Sequence, residues 1–306
     1  MQLKLGQKFF LPQVSPEKRE LLARLLDPDT SPPDRFKIGF RLAQLGDPRP
    51  GLALDAQGRP APEWIEIPGG DFIYQSGERY CALPTYYISR YPVTVAQFAA
   101  FVGGDGYTNP SYWTDEGWAW KQTAKLEAPA LWKSPKWHIA NHPVVGVTWY
   151  EAQAFAVWLA GQLGLAPDMI RLPSEEEWEK AARGVDGRLF AMGRPLKAGD
   201  ANINESYVYY HVGEAFLKRT TAVGVFIHDT SPYGLMDMTG NVREWTSTNY
   251  HHIGHVLRGG GWFSNRHQAQ TIFRNWFYDR NGDHSIGFRL AAAILPENQT
   301  LRFSAC

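Results

Sequence analysis

Two short frames near the end of the chain restrict its fold more than any other feature. Val256–Trp262 reads Val-Leu-Arg-Gly-Gly-Gly-Trp, and Ile286–Leu290 reads Ile-Gly-Phe-Arg-Leu. The consecutive glycines Gly259, Gly260 and Gly261 permit backbone geometry closed to other residues. Between the frames, Phe263–Ser285 is crowded with Arg, Asn, Asp, His, Phe, Trp and Tyr. It follows neither the helical nor the strand period and is too aromatic for a solvated linker. Aromatic and Arg side chains carry most of the energy at binding interfaces while short polar ones adapt around them, so the window reads as a recognition surface.

Composition sets the bounds around that window. A chain of 306 residues that is 44% hydrophobic, with 12 Trp, 14 Tyr and 16 Phe, can bury a substantial core and still display aromatics. Lys plus Arg and Asp plus Glu number 31 each, so no global field would hold a nucleic acid or an anionic membrane. Cys81 and Cys306 are too few for a disulfide scaffold or a thiolate metal cluster, and each reads as a buried or idle thiol. Met1–Lys8 lacks the apolar run of a signal peptide, and no stretch reaches the roughly 20 apolar residues of a membrane span. The expectation is a cytoplasmic product, released or particle-associated in one variant of the reading. No heptad suggests assembly, so a monomer is expected.

Along the chain, residues 16–26 and 34–45 carry leucines at helical spacing, and Gly46–Gly51 makes a linker. Residues 1–61 are therefore expected to be a short helical segment packing on a main domain over 62–306, with a variable region at about 258–290. Trp64–Tyr74 reads as two strands around Gly69-Gly70, and Tyr86–Val93 as another. Thr94 can cap a helix, Thr148 with Glu151 and Ser174 with Glu177 form capping boxes, and residues 103–141 form a Trp-anchored excursion without regular structure. The acids Glu175, Glu176, Glu177 and Glu179 read as a solvated helix start.

The phrases Glu66–Phe72, Tyr91–Thr94, His142–Trp149, Arg171–Glu179, Tyr233–Trp245 and Arg258–Trp262, closed by Gly287-Phe288-Arg289, follow one another in the order of the formylglycine-generating enzyme (sulfatase-modifying factor) superfamily. The chain resembles that family over roughly residues 62–293. The resemblance implies an α+β fold of C-type-lectin-like type, with antiparallel strands and little regular structure. The family's oxidases bind copper through a cysteine pair in the window, and soft Cu(I) needs thiolate or thioether ligands. Residues 259–290 hold neither Cys nor Met, and the sequence is therefore expected not to be an enzyme. Two other readings stay open beside it, a metal-dependent oxidase or sulfoxide synthase and a non-variable regulatory scaffold or sensor.

Within the superfamily, the frames most resemble those of the variable proteins of diversity-generating retroelements. The implied role is ligand or receptor binding, with a protein or cell-surface partner. Error-prone copying there favours AAC codons, from which Phe, Ser, Asn, Arg, His, Tyr, Asp and Gly are reachable and Trp is not. Phe263, Ser264, Asn265, His267, Phe273, Asn275, Phe277, Tyr278, Asp283, His284 and Ser285 fit that set, and Trp276 joins them as a weaker contact candidate. Trp262, Ile286 and Phe288 are expected to be buried, with Arg274 and Arg289 as fixed structural partners. No cofactor is required. The resemblance also implies structural Ca²⁺ at Asn241 and Glu244, and more weakly at Asn202 and Asn204, with the same fold lacking metal as the alternative. His251-His252-x-x-His255 precedes a strand and has no acid partner, so a loop outweighs a zinc site there.

Overall fold

The computed structural model describes residues 14–77 and 79–295; Met1–Lys8 and Cys306 lie outside the described residues. Serine caps start two leading helices, Ser15 for α1 (Pro16–Leu26) and Ser31 for α2 (Pro32–Leu45). These helices make no core of their own. Leu25, Ile38 and Leu42 close over Ala222, Val225 and Phe226 of the main body. The buried Arg35 guanidinium donates to the carbonyls of Leu25, Asp27 and Val225, tying the end of α1 to that body.

The main body is α+β with short strands. β1 (Trp64–Ile67) and β2 (Gly70–Tyr74) flank the Gly-Gly turn, yet they do not pair with each other. β1 runs antiparallel to β4 (Tyr86–Ser89), and β2 to β3 (Arg79–Leu83). Pro68, with Gly70 at φ +116°, turns the chain out of the first sheet. That sheet has the order β1-β4-β10-β5, with β5 at Ile170–Arg171 and β10 at Ala291–Ala292. α3 (Val95–Gly103) and α5 (Trp149–Gln162) begin with reciprocal capping boxes, Thr94 with Gln97 and Thr148 with Glu151. The excursion over 103–141 is more regular than expected, because it contains α4 (Asp115–Ala124), whose weak apolar stripe hid its period. Among the described residues, no helix is long and apolar enough to cross a membrane.

The sheet that carries the window has the order β8-β7-β6-β9, formed by β6 (Arg243–Tyr250), β7 (Gly254–Arg258), β8 (Arg274–Phe277) and β9 (Ile286–Phe288). β9 lies parallel to β6 and the other pairings are antiparallel. Phe288 packs against Phe98 of α3 and Phe155 of α5, with ring centroids 6.1 and 5.6 Å away, so the second frame is anchored in the main aromatic core.

Arg289 locks this sheet to the rest. Its Nε and one Nη donate to Glu244 at 2.7 and 2.8 Å, and the remaining donors reach the carbonyls of Ser89, Arg90 and Met236. All five guanidinium hydrogens are thereby used in a site with no solvent exposure. Removing one partner of such a pair strands the other charge. Arg289→Met is expected to cost about 3–5 kcal/mol in urea unfolding, and adding Glu244→Gln should restore part of that loss, whereas simple additivity would refute the coupling.

A buried carboxylate pair lies nearby. Burial, and then the charge of Asp237, raises Asp229 to about 7, while burial raises Asp237 itself to about 6. Both values exceed the ordinary aspartate value of 3.8, so the folded state binds more protons than the unfolded chain between the two limits. Stability should therefore fall as pH rises from about 4 to about 7 and level off above. Asp229→Asn should flatten that slope in urea unfolding followed across the range; an unchanged slope would place the titration elsewhere.

Candidate functional site

The first frame is held from beneath by α6 (Glu175–Arg183). The acids of this helix, expected to be solvated, are buried except for Glu176, because an arginine meets each of them. Glu177 takes Arg171 at 2.6 and 2.7 Å. Glu179 takes Arg183 at 2.8 Å and also binds Arg258 of β7. Glu175 takes Arg274 of β8 at 2.7 and 3.0 Å. One helix thus grips the strand that leads into the window and the strand within it. Gly259 has φ +77°, and a Cβ there would come within 2.9 Å of the Trp178 ring, so this position admits only glycine without rearrangement.

Trp262, Ile286 and Phe288 are buried as expected. Trp262 stacks on Trp137 at 5.9 Å and its indole N–H donates to the His284 carbonyl at 3.2 Å, pinning the end of the window to its beginning. Arg274 is the structural partner of Glu175, although its side chain stays 43% exposed.

Between the frames the structure sorts the sequence-derived contact residues into two groups. Ser264, Asn265 and Ser285 are buried, which corrects their assignment as contact residues. The Ser264 hydroxyl accepts the Gly261 N–H at 3.0 Å, Asn265 and Gln268 exchange backbone-to-side-chain bonds, and Ser285 is bound to Asp283 and Arg243. Small polar side chains are reachable by codon change and equally suited to closing turns, so the codon argument could not separate the two uses. Asp283 is half-buried and accepts the Ser285 N–H at 2.9 Å, which leaves it little freedom.

The remaining residues are exposed or half-buried. The window is less irregular than its sequence suggested, because Arg274–Phe277 is an edge strand paired to β7 in the register His255 to Phe277 and Arg258 to Arg274. Phe277 is half-buried beside Trp245, while Trp276 lies flat on Tyr250 at 5.2 Å and 10°. Tyr278, 54% exposed, meets the edge of Trp276. Asn275 is exposed and its Oδ1 accepts the Trp276 N–H at 2.8 Å. Phe263 and Phe273 are half-buried; the Arg243 guanidinium sits 5.0 Å over the Phe263 ring, and the Phe273 ring meets His267. His267 and His284 are exposed, with His284 stacked on Trp137 at 5.6 Å.

Sequence reasoning passed over two contributors, the Tyr207–Tyr210 run and Arg266, and misjudged a third, His255. Tyr207, Val208, Tyr209 and Tyr210 lie far from the frames in sequence, yet Tyr210 stacks on His267 at 5.6 Å, and Val208 and Tyr209 are 83% and 85% exposed. The Tyr-Val-Tyr-Tyr run was the signal that could have found them. His255 does have an acid partner: its Nδ1 lies 2.7 Å from Asp279 Oδ1, and its ring stacks on Trp149 at 3.8 Å, which braces the loop after β8. Arg266 is exposed within the window. Among the described residues, no three His, Cys, Asp or Glu side chains converge as metal ligands.

At Glu244 the Ca²⁺ reading does not fit the donors present. Both Glu244 oxygens are engaged by Arg289, and one also accepts the Trp178 indole N–H at 2.8 Å. A cation there would face a guanidinium. Asn241, at φ +74°, uses its amide to bridge Thr221 and Asn202. Cys81 is half-buried on β3, and burial raises its thiol above the usual range.

Comparison with known proteins places this geometry. The chain is 31% identical over 79% of its length to the hercynine oxygenase of Mycolicibacterium smegmatis, and 28% identical over 78% of its length to the formylglycine-generating enzyme of Bos taurus. The alignments cover 64% and 77% of those proteins; for the hercynine oxygenases matched, the chain spans 53 to 64% of their length. Treponema denticola variable protein 1 shares the fold, with a TM-score of 0.54 and 22% identity over 76% of this chain and 95% of that one. The enzyme relatives overturn the expectation that this chain is not an enzyme. Two missing cysteines in one window do not separate it from catalytic kin at that level of identity. Residues 51–294 match the sulfatase-modifying factor enzyme 1-like domain, and the chain belongs to that family.

Proposed function

We propose that the chain binds a polypeptide or cell-surface ligand through the face formed by Phe263, His267, Phe273, Asn275, Trp276, Tyr278 and His284 with Tyr207–Tyr210, in the manner of a diversified variable protein. The observation that carries this reading is the contrast between the frames and what they enclose. Arg258, Ile286, Phe288 and Arg289 have no solvent exposure, while Arg266, His267, Asn275, Tyr278 and His284 are exposed. Side chains on such a face can change without touching the packing that holds it, since surface substitutions usually shift stability by no more than about 0.5 kcal/mol. Aromatic rings braced by other rings, as Trp276 is on Tyr250, lose little freedom on binding and suit protein recognition.

A second reading is favoured by the kinship to hercynine oxygenases: the same domain serves an oxygen-dependent reaction, the face receiving its substrate. Metal content of the purified chain and oxygen uptake with thiol-bearing peptides separate the two, and stoichiometric iron or copper with uptake would decide for the oxygenase.

The leading reading predicts how two displayed libraries behave. Randomising Asn275, Trp276, Tyr278 and His284 should leave most members folded, as read by protease resistance, and should yield selectable binders to unrelated proteins. Randomising Ser264, Asn265 and Ser285 should leave most members unfolded. General unfolding of the first library would remove the basis for the proposal.

A further inference from the structure

A cavity of about 260 Å³ opens beside the window where it meets the loop after α6. Leu189, Phe190 and Pro195 give it an apolar wall, and Arg188, Arg194 and Arg266 complete its lining. Two of these arginines are fixed by acids. Arg194 is held bidentately by the buried Asp200 at 2.6 and 2.8 Å. Arg188 is held by Asp186 at 2.9 and 2.7 Å. Each of those carboxylates offsets the charge of its own arginine.

Arg266 differs. It is exposed and has no hydrogen-bond or ion-pair partner among the described residues. Arg266 therefore adds one uncompensated positive charge to a lining whose other two arginines are neutralised by their own acids. Its floor is continuous with the window, since Phe190 packs in the same cluster as Ala269, and His267, next to Arg266, stacks on Tyr210. A guanidinium presents planar paired donors that match a carboxylate, and the apolar wall needs an apolar body to cover it.

We propose that this cavity is an acid-binding subsite, taking an aspartyl, glutamyl or C-terminal carboxylate of a polypeptide next to an apolar residue, with Arg266 as its free cation. The proposal rests on the window being a polypeptide-binding face and names one chemical requirement of its ligand. Arg266 is exposed, so its substitution leaves the buried core intact and the subsite can be tested in the full chain.

The test begins with a phage-displayed random peptide library selected on the full chain. Recovered peptides should carry an acid beside an apolar residue. Synthetic copies in which that acid becomes its amide should bind at least about tenfold more weakly, a loss of about 1.4 kcal/mol. Arg266→Gln should weaken the acidic peptide equally and leave the amide peptide unaffected, as expected of a direct pair in a double-mutant cycle. Acetate should displace the labelled peptide at lower concentration than inorganic phosphate. Equal binding of acid and amide peptides, independent effects of the two changes, or preferential displacement by phosphate would each overturn the subsite. If peptides bind without an acid requirement and are lost on Trp276→Ser with Tyr278→Ser, the window reading stands and only the subsite falls. If the full chain selects no peptide, both fall.

Discussion

The ion pair between Glu244 and Arg289 is the constraint on which the remaining architecture rests. It lies where β6, β9 and the first sheet come together, and it is fully desolvated. An isolated charge at that depth would be intolerable, so each group requires the other and the carbonyls around them. The pair gives little net stability over an apolar contact of the same shape. Its effect is on registry: only one placement of β9 beside β6 lets Arg289 reach Glu244, Ser89, Arg90 and Met236 together. A second buried array, Arg258 and Arg183 on Glu179, performs the same service for β7 from the side of α6. The window is suspended between two electrostatic clasps.

Much of this was legible from the residues alone. The Thr94, Thr148 and Ser174 helix starts are local hydrogen-bonding arrangements that need no tertiary information, and each occurs where its sequence placed it. The frames were legible because Gly and Trp at such spacing have few uses. What escaped depended on partners distant in sequence. Glu175, Glu177 and Glu179 look like any acidic helix start until Arg274, Arg171 and Arg258 are brought to them. The pairing of β1 with β4, not with its neighbour β2, is a non-local choice of the same kind. At the site, composition identified the window but not its inside and outside. Ser264 and Ser285 face inward for hydrogen-bonding reasons that resemble those of an exposed serine.

Kinship and chemistry pull on this chain in different directions, and each argument has a definite reach. Missing thiols between Gly259 and Leu290 bear on copper ligation by that segment. They do not bear on whether the domain belongs among enzymes, and the oxygenase and formylglycine-generating relatives show that the broader inference was unsound. Shared fold in turn leaves function to the site. What the site offers is aromatic side chains braced by other rings, a cavity whose lining includes three arginines, and the His255–Asp279 contact.

β8 is both the most exposed strand of its sheet and one of its outer edges. A bare edge invites pairing with another copy of itself, the first step towards aggregation, and an aromatic one more so. Three features oppose that here: a length of only four residues, the charge of Arg274, and the Asn275 side chain occupying the Trp276 N–H. Position 275 therefore carries a burden separate from recognition. Replacing its amide with an apolar group would free a backbone donor on the outermost strand, so the range of residues compatible with a soluble protein is narrower there than its exposure suggests.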